Sequence, residues 1–201
     1  MRRLIAIEYL SLDGVVQAPG HAQEDDDGGF MHGGWSGPFL ADHGCYMREA
    51  LNTMGALLLG RRTYDIWAPY WPTVTDTDDD IARMLNAVPK YVASRTLTSA
   101  SWAPTTVITD VAGQVSELKT LTGKDIVVMG SAELAQTLIR HDLIDEYRLM
   151  IHPVVLGGGK RLFRDGGPAS TFELAAATTT ASGLATLTYQ PSQPGKDRSN
   201  D

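Results

Sequence analysis

The sequence predicts a single α/β domain: a three-layer α/β/α sandwich with a mixed, mostly parallel central sheet and an antiparallel hairpin at its C-terminal end. Three observations carry that prediction. Short apolar runs alternate with stretches of helical period along most of the chain. The runs are apolar at successive positions, as strands buried on both faces require. The rhythm breaks only near the end, where two Thr-rich stretches flank a Ser-Gly turn.

The elements follow in order. LIAIEYL (4–10), ALLLG (56–60), KYVAS (90–94), TTVIT (105–109), DIVVM (125–129) and EYRLMIHPVV (146–155) read as strands. Met47, Ala50, Leu51 and Met54 mark one helical face, and Ile81, Met84, Leu85 and Val88 mark a second. Val111, Val115 and Leu118 give a third, and Leu134, Ala135, Leu138 and Ile139 a fourth. TFELAAATTT (171–180) and LATLTYQ (184–190) pair as a hairpin through Ser182 and Gly183, closing one edge of the sheet.

A chain of 201 residues, 43% hydrophobic, suits one domain with a sizeable core. The domain is expected over 1–190, and PSQPGKDRSND (191–201) reads as a flexible tail. A net charge of −7 argues against a nucleic-acid partner. A single cysteine, Cys45, excludes an intramolecular disulfide framework and suits a reducing, cytoplasmic setting. The first apolar run is short and carries Glu8, so neither a signal peptide nor a membrane span is expected. Histidines at 21, 32, 43, 141 and 152 show no metal-ligand spacing, and no metal is expected.

The chemistry-bearing stretches sit where strands end. In LLLGRRTYDIW (57–67), Gly60 ends a strand, Arg61 and Arg62 follow, and Thr63 is placed to cap a short helix. Paired guanidinium groups beside a helix start suit an anion, although two solvated surface arginines would read the same way. VVMGSAELAQTL (127–138) repeats the pattern, with Gly130 letting a ligand approach the backbone and Ser131 opening an amphipathic helix. Ser94 and Arg95 follow a third strand. Ligands gather at the carboxyl ends of strands in open α/β sheets, so these three turns are expected to share one rim.

Other stretches carry less. GGGKR (157–161) lacks the Ser or Thr of a phosphate loop; its three glycines allow a tight loop close to a ligand, but it reads more simply as a structural turn. EDDD (24–27) has no EF-hand spacing and reads as a solvated loop. No nucleophile motif is present, so a bound cofactor is expected to supply the chemistry. Ser11, Asp13 and Gly14 end the first strand, either as a simple turn or as the mouth of a site. The residues alone leave both readings open.

Taken in order, SLDGVV (11–16), LLLGRRTYDIWAPYWP (57–72), YVASRTL (91–97), DIVVMGSAELAQTLI (125–139) and LIDEYRLMIHPVVLGGGKRLF (143–163) resemble the dihydrofolate reductase-like superfamily. They are most similar to the branch named for the C-terminal reductase domain of the bifunctional riboflavin-biosynthesis deaminase/reductase, over about residues 2–190. The resemblance implies a dihydrofolate reductase-like sandwich, NADPH as cofactor, a small-molecule substrate and a homodimer. It implies that Gly60, Arg61, Arg62 and Thr63 hold the adenosine side and 2′-phosphate, with Ser94 and Arg95 flanking them. Gly130, Ser131 and Ala132 would meet the pyrophosphate. Ser11 and Gly14 would touch substrate, and Asp13 would act in catalysis. The implied function is hydride transfer to a small heterocyclic or carbonyl-like substrate, as in 5-amino-6-(5-phosphoribosylamino)uracil reductases. The alternatives are a non-catalytic ligand-binding module on the same fold and a dihydrofolate reductase proper. The riboflavin enzyme's zinc-binding deaminase motifs, HxE and PCxxC, do not occur in this sequence.

Overall fold

The computed structural model describes residues 1–75 and 79–192. Eight strands form one sheet: β1 (Leu4–Ser11), β2 (Met54–Gly60), β3 (Lys90–Ala93), β4 (Thr105–Ile108), β5 (Asp125–Met129), β6 (Glu146–His152), β7 (Phe172–Thr179) and β8 (Ala185–Pro191). Their order across the sheet is β4-β3-β2-β5-β1-β6-β8-β7. The pairings from β4 to β6 are parallel, while β8 runs antiparallel to both β6 and β7. The mixed, mostly parallel sheet with a C-terminal hairpin at one edge is therefore observed.

Among the described residues, five α-helices flank it: α1 (Leu40–Ala50), α2 (Arg61–Trp67), α3 (Asp80–Ala87), α4 (Val111–Thr120) and α5 (Ala132–Arg140). Side-chain alternation along β1 shows why both faces are covered. Leu4, Ala6 and Leu10 pack with Leu134, Ala135 and Leu138 of α5 and Val115 of α4. Ile5 and Ile7 pack on the opposite face with Met47 and Ala50 of α1, Tyr64 of α2 and Leu85 of α3. Each such Leu or Ile contributes about 1.5–3 kcal/mol by leaving water. Asp79 and Asp110 fix two helix starts, accepting bonds from Ala82 N at 2.9 Å and Gly113 N at 3.1 Å.

Three local expectations are corrected. Met54 belongs to β2, because α1 ends at Ala50 and the chain turns through residues 51–53. Gly60, not Thr63, occupies the N-cap position of α2, and Thr63 lies inside the helix. The sixth strand stops at His152, before Pro153, whose missing N–H cannot join the ladder. Of the expected tail, Pro191 ends β8 and Ser192 N donates to Thr171 O at 2.9 Å. The rest of that stretch lies outside the described residues.

Because β1 to β6 run parallel, their carboxyl ends share one rim. Gly60, Ala93, Met129 and Ser11 all sit there, with α2 and α5 starting directly after β2 and β5.

Candidate functional site

Two strand-to-helix turns build the floor of a groove on that rim. Thr63 Oγ1 donates to Gly130 O at 2.8 Å, Ser131 Oγ lies 3.0 Å from Thr63 Oγ1, and Gly60 N donates to Ser131 Oγ at 2.9 Å. Ser131 is therefore committed to the neighbouring turn, and makes no side-chain cap to its own helix. The first N–H groups of α5, at 132–134, keep no intrahelical partner and carry the positive end of the helix dipole. Gly130 sits at φ +61, where glycine is the residue without strain.

The groove encloses about 450 Å³ and brings together Gly60, Arg61, Arg62, Thr63, Arg95, Gly130, Ser131 and Ala132. Two adjacent arginines diverge within it. Arg61 pairs with Asp65 at 2.8 Å and reaches Thr96 Oγ1, beyond β3, at 3.4 Å. Arg62 turns the other way, to Asp25 and Asp27 of the loop after β1. Ser94 does not line the groove. Its hydroxyl accepts from Thr96 N at 3.2 Å and Leu97 N at 3.0 Å, shaping the turn that presents Arg95.

Ser11, Asp13 and Gly14 do not line it either. Asp13 Oδ1 accepts from Ser11 Oγ at 2.7 Å and Leu156 N at 3.1 Å, and Oδ2 accepts from Gly157 N at 2.9 Å. Gly14, at φ +78, takes Leu162 N onto its carbonyl at 3.1 Å. These residues tie the end of β1 to the 156–162 loop. Desolvation opposes the charge on Asp13, but the bonds from Ser11, Leu156 and Gly157 outweigh it and hold the carboxyl below its ordinary value.

Residues that sequence reading passed over complete the site. Gln17, Asp25, Asp27 and Lys160 line the groove, and Gln17, Asp27 and Lys160 also border an adjoining hollow of about 480 Å³. That hollow is formed by residues 28–32 and by Leu156, Gly158 and Gly159. Asp26 and Asp27 of the EDDD stretch are exposed, as a solvated loop requires, but Asp25 and Asp27 also hold the cations of Arg62 and Lys160. GGGKR contributes more than a turn, because it delivers Lys160. No local motif announced these contacts; Asp25 lies 37 residues from Arg62, and the two aspartates lie 133 to 135 residues from Lys160.

Beneath the Gly130 turn lies Glu8, only 2% exposed, with Oε1 unpartnered. Burial pushes its carboxyl up to about 8, against the opposing pull of the Gly130 and Ser131 N–H groups. Those two N–H groups thus face Glu8 rather than the groove.

The 17–39 segment is pinned as a cover. Trp35 Nε1 donates to Gln17 O at 2.7 Å and Ser36 Oγ to Pro19 O at 2.8 Å. Below it, His43 Nε2 and His152 Nε2 lie 2.9 Å apart in a box with Tyr9, Trp35 and Phe39. His152 Nδ1 faces Leu10 O and Met150 O, so it carries the proton, and His43 donates between the two Nε2 atoms. Desolvation, and then the neighbouring His152, lowers His43 to about 4, keeping the pair neutral. Among the described residues no group of three or more His, Cys, Asp or Glu is placed to hold a metal ion, and no helix is long and apolar enough to cross a membrane.

Comparison with known proteins places this geometry. The family model for the RibD C-terminal domain matches residues 2–186. The uncharacterized protein YyaP of Bacillus subtilis (strain 168) is 32% identical over 190 residues, covering 94% of each chain. A putative riboflavin biosynthesis protein from Shewanella sp. PV-4 superposes with a TM-score of 0.64 at 20% identity, over 95% of this chain and 99% of that one. RibD of Acinetobacter baumannii gives a TM-score of 0.62 at 15% identity, over 96% of this chain and 59% of that longer protein. At these identities the solved structures show a shared fold.

Proposed function

From the premise that the chain belongs to the RibD C-terminal domain family, we propose that it is an NADPH-dependent reductase of a small heterocyclic or carbonyl-like substrate. One observation carries the reading. The uncapped start of α5 and the cations Arg61, Arg62, Arg95 and Lys160 line a single groove in a chain of net charge −7. Set against Glu24, Asp25, Asp27 and Glu133 on the same walls, these cations bring the groove to formal neutrality in an acidic chain, and with the N–H groups at the start of α5 they fit the phosphates of a dinucleotide. The cofactor would supply a hydride.

The protein's own groups divide the binding. Arg61 and Arg95, on the β3 side, take the 2′-phosphate. The N–H groups of residues 132–134, with Arg62, take the pyrophosphate. Gly60 and Thr63 shape the wall between them, and Gly130 and Ser131 hold the α5 start in place rather than donating to the ligand. The hollow between residues 28–32 and 156–159 is the place for substrate, with Gln17 and Lys160 at its boundary with the groove. Ser11, Asp13 and Gly14 act on that hollow indirectly, by fixing Leu156 and Gly157.

Calorimetric titration of NADPH and NADH into wild type and Arg61→Ala tests the assignment. NADPH binds wild type more tightly, and Arg61→Ala loses about tenfold or more for NADPH alone, since a charge-assisted bond contributes roughly 1.5–3 kcal/mol. Equal wild-type affinities would remove the 2′-phosphate site. NADPH oxidation against heterocyclic and carbonyl substrates tests the reductase step; binding without turnover of any of them supports the non-catalytic alternative.

A further inference from the structure

Two cations converge on single carboxylate groups inside the groove. Asp27 Oδ2 accepts from Arg62 Nη1 and from Lys160 Nζ, both at 2.7 Å. Asp25 repeats the arrangement, with Oδ1 on Arg62 Nη1 and Oδ2 on Lys160 Nζ at 2.7 Å. Arg62 comes from α2, Lys160 from the loop after β6, and the two aspartates from the loop after β1. A guanidinium and an ammonium closing on the same oxygens is the donor arrangement that holds a phosphate. Here the protein's own carboxylates fill it.

The strap that carries them is ordered by its own bonds. Gln17 Nε2 donates to Asp25 O at 3.2 Å and Asp27 O at 3.0 Å, while its Oε1 accepts from Lys160 N at 2.9 Å. Glu24 accepts from Gly20 N at 2.6 Å and His21 N at 3.2 Å. On the other side follow Gly28 at φ +68 and Gly29 at φ +74, residues whose backbone can rotate at little cost. The strap is thus held through Glu24 and the carbonyls of Asp25 and Asp27, with two glycines after it that lend its far end backbone freedom. Residues 24–27 are all acidic, so an anion arriving while they remain in place meets like charge and two occupied cations.

We propose that Asp25 and Asp27 form a built-in competitor, occupying a phosphate-sized anion site of Arg62 and Lys160 until a phosphate-bearing ligand displaces them. The proposal rests on the groove being a phosphate-ligand groove, and adds Lys160 as a binding residue and the strap as its gate. A ligand that binds only the released state has its apparent affinity reduced by the fraction of molecules in that state. Weakening the strap therefore tightens binding.

The experiment uses inorganic pyrophosphate as the probe, alongside NADPH, on the full chain. Wild type, Asp27→Asn and Asp25→Asn/Asp27→Asn are titrated by calorimetry after thermal melts confirm folding. Pyrophosphate binding tightens about tenfold in Asp27→Asn and further in the double variant; Lys160→Ala added to the double variant reverses the gain. Asp27→Asn keeps Asp25 in place, so it reports even where the double variant fails to fold. Unchanged or weaker pyrophosphate binding in folded Asp27→Asn overturns the proposal. Tightening for pyrophosphate with no NADPH binding by any variant keeps the strap and removes the cofactor reading. NADPH binding by wild type with no tightening in either variant does the reverse.

Discussion

The hydroxyls of Thr63 and Ser131 lie 3.0 Å apart, although 68 residues separate them in sequence. They join the turn after β2 to the turn after β5, so that α2 and α5 begin at a fixed spacing. Replacing Ser131 with Ala leaves the part-buried Gly60 N without its acceptor, a loss of about 1 kcal/mol. Thermal melting of Ser131→Ala is expected to fall by about 2–4 °C for each kcal/mol lost. On the proposed cofactor reading, NADPH affinity is expected to fall as well, because the N–H groups of α5 lose their setting. An unchanged melting temperature shows that water takes the vacated bond and the clasp contributes nothing.

That clasp also marks how far the sequence could be read. Apolar runs on both faces gave the parallel strands, and the Thr-rich pair gave the hairpin, because burial leaves a period in the residues. The turns at 60–63 and 130–132 were legible as neighbours on one rim because a strand, a glycine and a helix start are consecutive in the chain. Asp25, Asp27 and Lys160 were not, since their contacts form across segments that only the β1–β6 pairing brings together. Thr63 shows the same limit in reverse. Its side chain suits a cap, but it bonds instead to the Gly130 carbonyl of the neighbouring turn.

Glu8 predicts an unusual pH dependence of stability. Its folded value, about 8, lies above the ordinary carboxylate value, so the native state holds a proton that the unfolded chain releases. Between about pH 4.5 and 8 the unfolded state binds fewer protons, and this group's contribution to stability falls as pH rises. Glu8→Gln, which carries no charge at any pH, escapes the loss. Urea denaturation is expected to show wild type and Glu8→Gln similar near pH 4.5, with the variant ahead by up to several kcal/mol at pH 8.5. A constant difference across that range would mean that Glu8 titrates normally.

The sheet edge at β7 leads to an expected assembly. Residues 173–179 of this strand are exposed, with Leu174 54% accessible, and its outer backbone edge has no neighbouring strand among the described residues. Unprotected edges and apolar sheet faces are usually covered. We expect a homodimer that uses the β7–β8 hairpin, and light scattering at micromolar concentration checks it. Leu174→Lys is expected to shift the population to monomer. Monomeric wild type refutes the dimer.

Asp13 separates two roles that the SLDG stretch allowed. Its carboxylate accepts from Ser11 Oγ, Leu156 N and Gly157 N, and stays ionised at neutral pH because those bonds outweigh its desolvation. An anion with its oxygens so engaged is a poor proton donor, and positioning of the 156–157 loop is the role we assign to it. Asp13→Asn replaces one acceptor oxygen with an amide that cannot accept, so either Leu156 N or Gly157 N loses its partner. Positioning predicts a lower melting temperature, with a stability deficit that narrows as pH falls through the depressed wild-type value, where the wild-type carboxylate also becomes protonated. It further predicts a raised KM with kcat less affected, since the displaced loop borders the hollow proposed for substrate. A catalytic carboxylate predicts the opposite pattern: unchanged melting, unchanged KM and a kcat reduced about tenfold or more. Measuring kcat, KM and melting on one preparation of Asp13→Asn, and repeating the melt as the pH is lowered step by step below the ordinary aspartate range, decides between a residue that shapes the site and one that reacts in it.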